Sequence, residues 1–399
     1  MMRFEIEEIG RPNIDDKEAW GAYWKAKGQP WRWEPEIDKE RQTYLAERRS
    51  IAPDWKHDIY PFKDIKLTRA DVEWLLATHE DGRGPVDWSD ESQRERGGLN
   101  LLGVDLRHVN LGGLPLAKTF LRRAQLEGAF LLMARLEQAD LCNAQLQGTV
   151  LGVAELQGAD LSGAELEKAD LGAAELQGAN LFMAQLEKTN LNDVALADEH
   201  RVGPQLADVR WGDTNLAVVD WEQIATLGEE HKAQQKLDEH GKKKDKGKRL
   251  GEYKTAARAY RQLSVAIRDQ GLNEDAARFA YRGQLMQRKV CWYQRQFVHY
   301  LGSLFLNLLS GYGYKVGRCF IAYALVIGVF ATMYHVLGTH LAWNEAVVIS
   351  MTAFHGRGFF PDQFHPGDPQ ALAAAIEAFV GLLIEITLIV TLTQRLFGK

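Results

Sequence analysis

The side chains with the most chemical potential stand where charge is otherwise scarce. Ala371–Leu392 is an apolar run carrying two carboxylates, Glu377 and Glu385. Gly381 lies midway between them, and at 100° per residue all three share one helix face within ~40°. Ionisable groups inside an apolar segment are costly and mark ion or proton pathways. A second cluster, His355-Gly356-Arg357-Gly358-Phe359-Phe360, follows an apolar stretch containing Ser350, Thr352 and Phe354. Glycines there let consecutive carbonyls face one axis, while Arg357 sets a cation beside them. No Gly-rich phosphate loop, nucleophile elbow or metal-ligand spacing stands in the sequence, so no enzyme, cofactor or metal is expected. Cys142, Cys291 and Cys319 are too scattered for a zinc site or a disulfide framework.

Elements that would position these groups follow from length and charge. Cys319–Gly338 has no Asp, Glu, Lys or Arg and would span ~30 Å as a helix, one bilayer core. Ala371–Leu392 supplies a second span. Arg278, Arg282, Arg288, Lys289, Arg295, Lys315 and Arg318 precede the first, and Arg395 and Lys399 follow the second. Only Arg357 stands between the two, so both termini are expected on the cytoplasmic side. Trp343–Phe354 predicts a helix with Asn344 as N-cap, too short to cross and therefore re-entrant. In Gln296–Tyr314, Phe297, Leu301, Leu304, Phe305 and Leu308 form a stripe opposite Ser303, Asn307 and Ser310. That pattern predicts an interfacial helix within residues 296–317.

Upstream the period changes. A leucine stands at every fifth position from Leu101 to Leu196, twenty without a miss. No α-helix has that period, since each leucine would face a different side. A square coil fits, with one pentapeptide per side and the leucines pointing inward. Ala124, Ala129, Ala134, Ala139 and Ala144, two residues before their leucines, would fill the narrow space that larger residues would overpack. The pattern breaks at Asp198–Gln205 and resumes with Leu206, Trp211, Leu216 and Trp221.

Residues 1–98 are rich in tryptophan (20, 24, 31, 33, 55, 74, 88) and include a helical stretch, Thr68–His79. A solenoid end exposes unpaired backbone, so this region is expected to be a cap docked by its tryptophans. His57 and His79 are read as structural. Residues 223–252 are polar, contain the run KKKDKGKR, and read as a linker with an alternative role against anionic lipid. Residues 253–295 predict two helices around Gly271. The 399 residues carry 48 basic and 54 acidic side chains, a net charge of −6 that excludes electrostatic nucleic-acid binding by the whole chain. MMRFEIEEIG has no apolar core, so no cleavable signal peptide is expected, and the bulk of the chain should lie in a reducing cytoplasm.

Residues 99–222 resemble the pentapeptide repeat family, which implies a right-handed quadrilateral β-helix. The nine basic and eighteen acidic residues of this span match those family members that mimic DNA and bind type II topoisomerases. Residues 253–295 resemble one tetratricopeptide-type helical hairpin. The order span, short helix, loop, span over Tyr312–Phe397 resembles the two-helix pore module of potassium-channel-like proteins, whose signature is T-x-G-[YF]-G-D. If Gly358-Phe359 aligns with its Gly-Tyr, Phe360 replaces the second glycine and Pro361 the aspartate. If Gly356-Arg357-Gly358 aligns, an arginine replaces the tyrosine. Dedicated potassium selectivity is therefore not implied. The resemblance implies a homotetramer with His355–Phe360 as filter, Ser350, Thr352 and Phe354 on the pore helix, and Glu385 facing the cavity. Gly381 is a hinge or a close-packing site, and Arg357 faces the pore or pairs with Glu377. The expectation is a multi-pass channel of the plasma (inner) membrane, weakly selective for inorganic cations. Its solenoid would be a regulatory domain for a cytoplasmic protein or ligand. The alternatives are a non-conducting membrane-anchored scaffold and a topoisomerase-binding DNA mimic.

Overall fold

The computed structural model describes residues 11–54, 56–238, 240–337, 341–357 and 368–397. The chain forms two compact units, Met1–Ala276 and Ala277–Lys399.

In the first unit the five-residue leucine clock becomes a four-sided coil. A turn recurs every five residues, and parallel bridges join residues twenty apart, as in Gln125↔Gln145 and Asp140↔Asp160. Leu121, Leu126, Leu151 and Leu171 are fully buried, as are Ala124, Ala129 and Ala154. The hydrogen-bond ladder is short on each side; Leu121 N–H donates to Asp140 C=O at 2.7 Å, for example. The sides are too brief for continuous strands, so among the described residues the β-structure consists of isolated bridges. Each turn places one residue in the left-handed region, including Val153 at φ 55°, a costly conformation for a β-branched side chain. The break in the repeat is a five-residue insertion. Bridge spacing changes from twenty to twenty-five at Asn180↔Gln205 and Gln185↔Arg210.

Both ends of the coil are closed. At the first coil, backbone of residues 64–67 adds an edge: Asp64 N–H donates to Gly103 C=O (2.8 Å), and Leu67 N–H to Asp105 C=O (3.0 Å). Helices α1 (Lys17–Ala26), α2 (Lys39–Arg49) and α3 (Arg69–Ala77) build the cap. Thr68 and Asp71 form a reciprocal capping box at the start of α3. Arg69 is the anchor. Its guanidinium donates to the carbonyls of Asn110 and Gly112 at 3.1 and 3.0 Å and to Glu73 at 2.7 Å, and it lies 4.2 Å over the Trp33 ring. Trp20 and Trp24 stack on each other. The contacts of these helices with the first coil run through backbone pairing and Arg69 rather than through the tryptophans alone.

At the far end, side chains imitate the next coil. Gln270 accepts from Leu216 N–H (2.7 Å) and donates to Thr214 C=O (2.7 Å). Gln262 accepts from Asp208 N–H, and Gln223 from Leu196 N–H. The expected linker is thus largely folded. Helix α4 (Gly228–Gln234) packs its carboxylates Glu229 and Glu230 inward, and α5 (Lys246–Asp269) already begins within the basic run. Gly271, at φ +84°, turns the chain into α6 (Asn273–Tyr293).

The second unit contains α7 (Phe297–Ser310), α8 (Val316–Leu337), α9 (Trp343–Phe354) and α10 (Pro369–Phe397). The α7 helix ends at Gly311 in the left-handed region, and its fourteen residues span ~21 Å, short of a crossing. Leu301 and Leu308 are exposed, while Asn307 accepts from the Tyr281 hydroxyl at 3.1 Å. Helices Gly317–Leu337 and Pro369–Thr393 are long and apolar enough to cross a membrane. The α9 helix starts one residue before the expected Asn344 cap position. Ala342 occupies the cap and has no side-chain acceptor, so Glu345 accepts its N–H instead, at 3.1 Å. Gly381 packs under the end of α9: a Cβ there would lie 2.1 Å from the Phe354 carbonyl oxygen.

Two measurements test these contacts. Leu171→Asp should cost more than the ~2–5 kcal/mol of a buried Leu→Ala change, with loss of protease resistance in the solenoid; a native digestion pattern contradicts the inward assignment. Gly381→Ala should cost ~1–3 kcal/mol by overpacking and lower the melting temperature in detergent. Gly328→Ala, with no atom within 4 Å of its Cβ position, should not lower it.

Candidate functional site

Two carboxylates on α10 face the neighbouring helices: Glu377 bonds directly to α8 and α9, and Glu385 bonds to His355 at the end of α9. Glu377 is fully buried. The Tyr334 hydroxyl of α8 donates to its Oε2 at 2.8 Å, and the Ser350 hydroxyl of α9 donates to its Oε1. Neutral donors therefore fill the place expected for Arg357. Ser350 lies one turn before the end of α9, whereas Arg357 lies beyond it, exposed, with its N–H on the Thr352 carbonyl at 2.9 Å. The Glu377–Arg357 pairing is corrected accordingly.

Glu385, two turns along α10, faces the loop end of α9. Its Oε1 contacts His355 Nδ1, and His355 Nε2 lies 3.1 Å from the Tyr323 hydroxyl of α8. A carboxylate accepts, so Nδ1 carries a proton, and in the neutral ring Nε2 accepts from the tyrosine. The side chains of His355 and Glu385 are 42% and 35% exposed, in contrast to the sealed Glu377. Between these two clusters Gly381 packs closely under the Phe354 carbonyl.

The other expected site residues divide. Phe354 is buried against Leu309 and Ile384 and meets Tyr323 edge-on at 4.7 Å. The Thr352 hydroxyl donates within its own helix, to Val348 C=O at 3.0 Å. Gly356 adopts φ +66°. Gly358, Phe359 and Phe360 lie outside the described residues. Tyr323 and Tyr334 were missed by the sequence reading, although eleven residues put both on one face of the first span within ~20°. His335 was also missed as a partner; it stacks on Trp343 at 4.2 Å.

The first unit offers two further features. An open cleft of about 1470 Å³ between the solenoid and α5 is lined by Phe182, Met183, Arg210, Trp211, Arg261 and Val265. Asp140, Cys142 and Asp160 gather ligand atoms within 4.8 Å of one another. Asp140 is already held by Arg122 at 3.0 Å, and Asp160 accepts from Ser162 N–H and Asn180.

The family model "Pentapeptide repeats" matches residues 121–151 and 154–193, in eight copies. Among solved structures, the pentapeptide repeat protein Rfr23 from the cyanobacterium Cyanothece 51142 is 32% identical, covering 29% of this chain and 88% of that one, with a TM-score of 0.14. A pentapeptide repeat protein from Nostoc PCC 7120 is 29% identical over 24% of this chain and 76% of its own, with a TM-score of 0.18. One from the Arabidopsis thaliana thylakoid lumen is 27% identical over 29% and 68%, with a TM-score of 0.15. No curated protein matches the chain. Leucine periodicity, twenty-residue bridge spacing and the family match agree on the middle of the molecule: through this domain the chain belongs to the pentapeptide repeat family.

Proposed function

We propose that this protein is an oligomeric membrane channel whose pentapeptide-repeat solenoid is its cytoplasmic regulatory domain. The observation that carries the reading is the seating of α9. This twelve-residue helix lies in sequence between two helices long and apolar enough to cross a membrane, and buried side chains tie it to both. A helix of that length cannot span, and irregular backbone at membrane depth is tolerated where protein or a water-filled cavity surrounds it. Exposed Phe320, Ile321, Leu325, Phe379, Leu382 and Ile389 on the long helices suit contact with lipid. Several copies, four by analogy with potassium-channel-like pores, would surround the conduction path, with both termini cytoplasmic.

Ions cross passively in this reading, and Glu385 is the charge that favours cations. Its carboxylate stands at a half-exposed position beside His355. Arg357 opposes it, because Glu377 does not neutralise the guanidinium. The result is weak cation preference.

Purified protein in a planar bilayer with asymmetric KCl should conduct, with a reversal potential displaced toward that of potassium. Glu385→Gln should reduce the displacement and Arg357→Gln should increase it. A reversal potential at the chloride value overturns the cation assignment, and an absence of conductance overturns the channel. For topology, in a cysteine-free background, Asp368→Cys should react with an impermeant thiol reagent outside intact cells, while Lys254→Cys should react only after permeabilisation.

A further inference from the structure

Glu229 closes the far end of the solenoid in an unusual electrostatic position. It lies in the first turn of α4 and is 4% exposed. Its Oε1 accepts two backbone N–H groups of the last coil, from Leu206 at 2.6 Å and Ala207 at 2.5 Å. Its Oε2 is buried with no hydrogen-bond partner among the described residues. The charged and titratable groups around it are Asp208 in the coil, Glu230 on its own helix, and Arg258 and Tyr260 on α5. Asp208 is a like charge, and Arg258 is engaged by Asp208 at 2.9 Å. The Tyr260 hydroxyl donates to Glu230 at 2.5 Å and accepts from Leu227 N–H. A half-satisfied carboxylate in such a site favours its neutral form.

We propose that Glu229 is a proton-sensitive latch: neutral, it holds α4 on the end of the solenoid, and ionisation loosens the α4 and α5 closure. Burial pushes its carboxyl up to about 7 from the ordinary value of 4.5. The closed state therefore binds a proton that the open, hydrated state releases. Opening becomes easier as pH rises from the exposed value through about 7 and levels off above it. Between pH 6 and 8 the opening constant should rise about tenfold. This inference stands on the solenoid alone and is independent of the channel reading.

Hydrogen exchange on the full-length protein in detergent, corrected for intrinsic rates, should show protection of the Leu206 and Ala207 amides falling about tenfold from pH 6 to pH 8. Glu229→Gln, which keeps a carbonyl acceptor and cannot ionise, should abolish that dependence and remain protected at pH 8. An infrared band of a buried neutral carboxyl should disappear with a midpoint near 7 in the wild type and be missing in Glu229→Gln. Wild-type protection that does not change with pH, or an identical pH dependence in Glu229→Gln, overturns the latch.

Discussion

A coil of stacked backbone cannot end abruptly. Each side of the solenoid presents N–H and C=O groups to the next coil, and at the two ends these groups have no successor. Leaving a buried backbone group unpaired costs about as much as breaking a hydrogen bond, ~1–3 kcal/mol each, and an open edge also invites pairing with other chains. The architecture of the first unit answers this requirement. The first coil receives a strand-like segment, residues 64–67, and the Arg69 guanidinium on the carbonyls of Asn110 and Gly112. The last coil receives the side-chain amides of Gln223, Gln262 and Gln270 and the Glu229 carboxyl. A glutamine amide suits this work because it sets an N–H donor beside a carbonyl acceptor, as a peptide group does. The two caps thus use different groups: backbone and a guanidinium close one end, and side-chain amides and a carboxyl close the other.

The second unit solves a related problem under different conditions. Carboxylates among apolar helices need donors within reach; Glu377 finds them on both neighbouring helices, and Glu385 finds His355 at the end of α9. Glu377 takes two hydroxyls and is sealed from solvent; Glu385 takes an imidazole and keeps partial exposure. Similar groups on one helix face thereby acquire different characters, one a structural knot and the other an accessible charge. The fit of Gly381 under the Phe354 carbonyl holds the end of α9 between the two.

The solenoid was legible because its signal is periodic and local: each leucine reports its own inward position. The two long helices were legible for the same reason, through long apolar runs in which charge is scarce. Contacts made across the chain left weaker traces. Arg69 reads as an ordinary helix residue until its partners, some forty residues away, are folded beside it. Glu229 and Glu230 look like a solvated acidic pair in a polar stretch, yet burial reverses that meaning. The pairing assigned to Glu377 failed on geometry, since charge alone suggested Arg357, while the hydroxyls of Ser350 and Tyr334 sit at matching depth. Gly381 carried two readings that only the position of a neighbouring carbonyl oxygen could separate.

The five-residue insertion at the break in the repeat bears on how such a domain tolerates change in length. Leu206 follows Leu181 by one extra pentapeptide, and the bridges resume in the same phase. The surplus falls between Ala195 and Gln205, and every later side keeps its compass bearing. Residues that differ from a multiple of five, placed within a side, would instead swing leucines outward and carry the terminal helices around the axis. Length in this molecule is therefore quantised. Whatever surface the solenoid presents can be lengthened or interrupted in whole pentapeptides while the helices at its far end stay aimed in one direction.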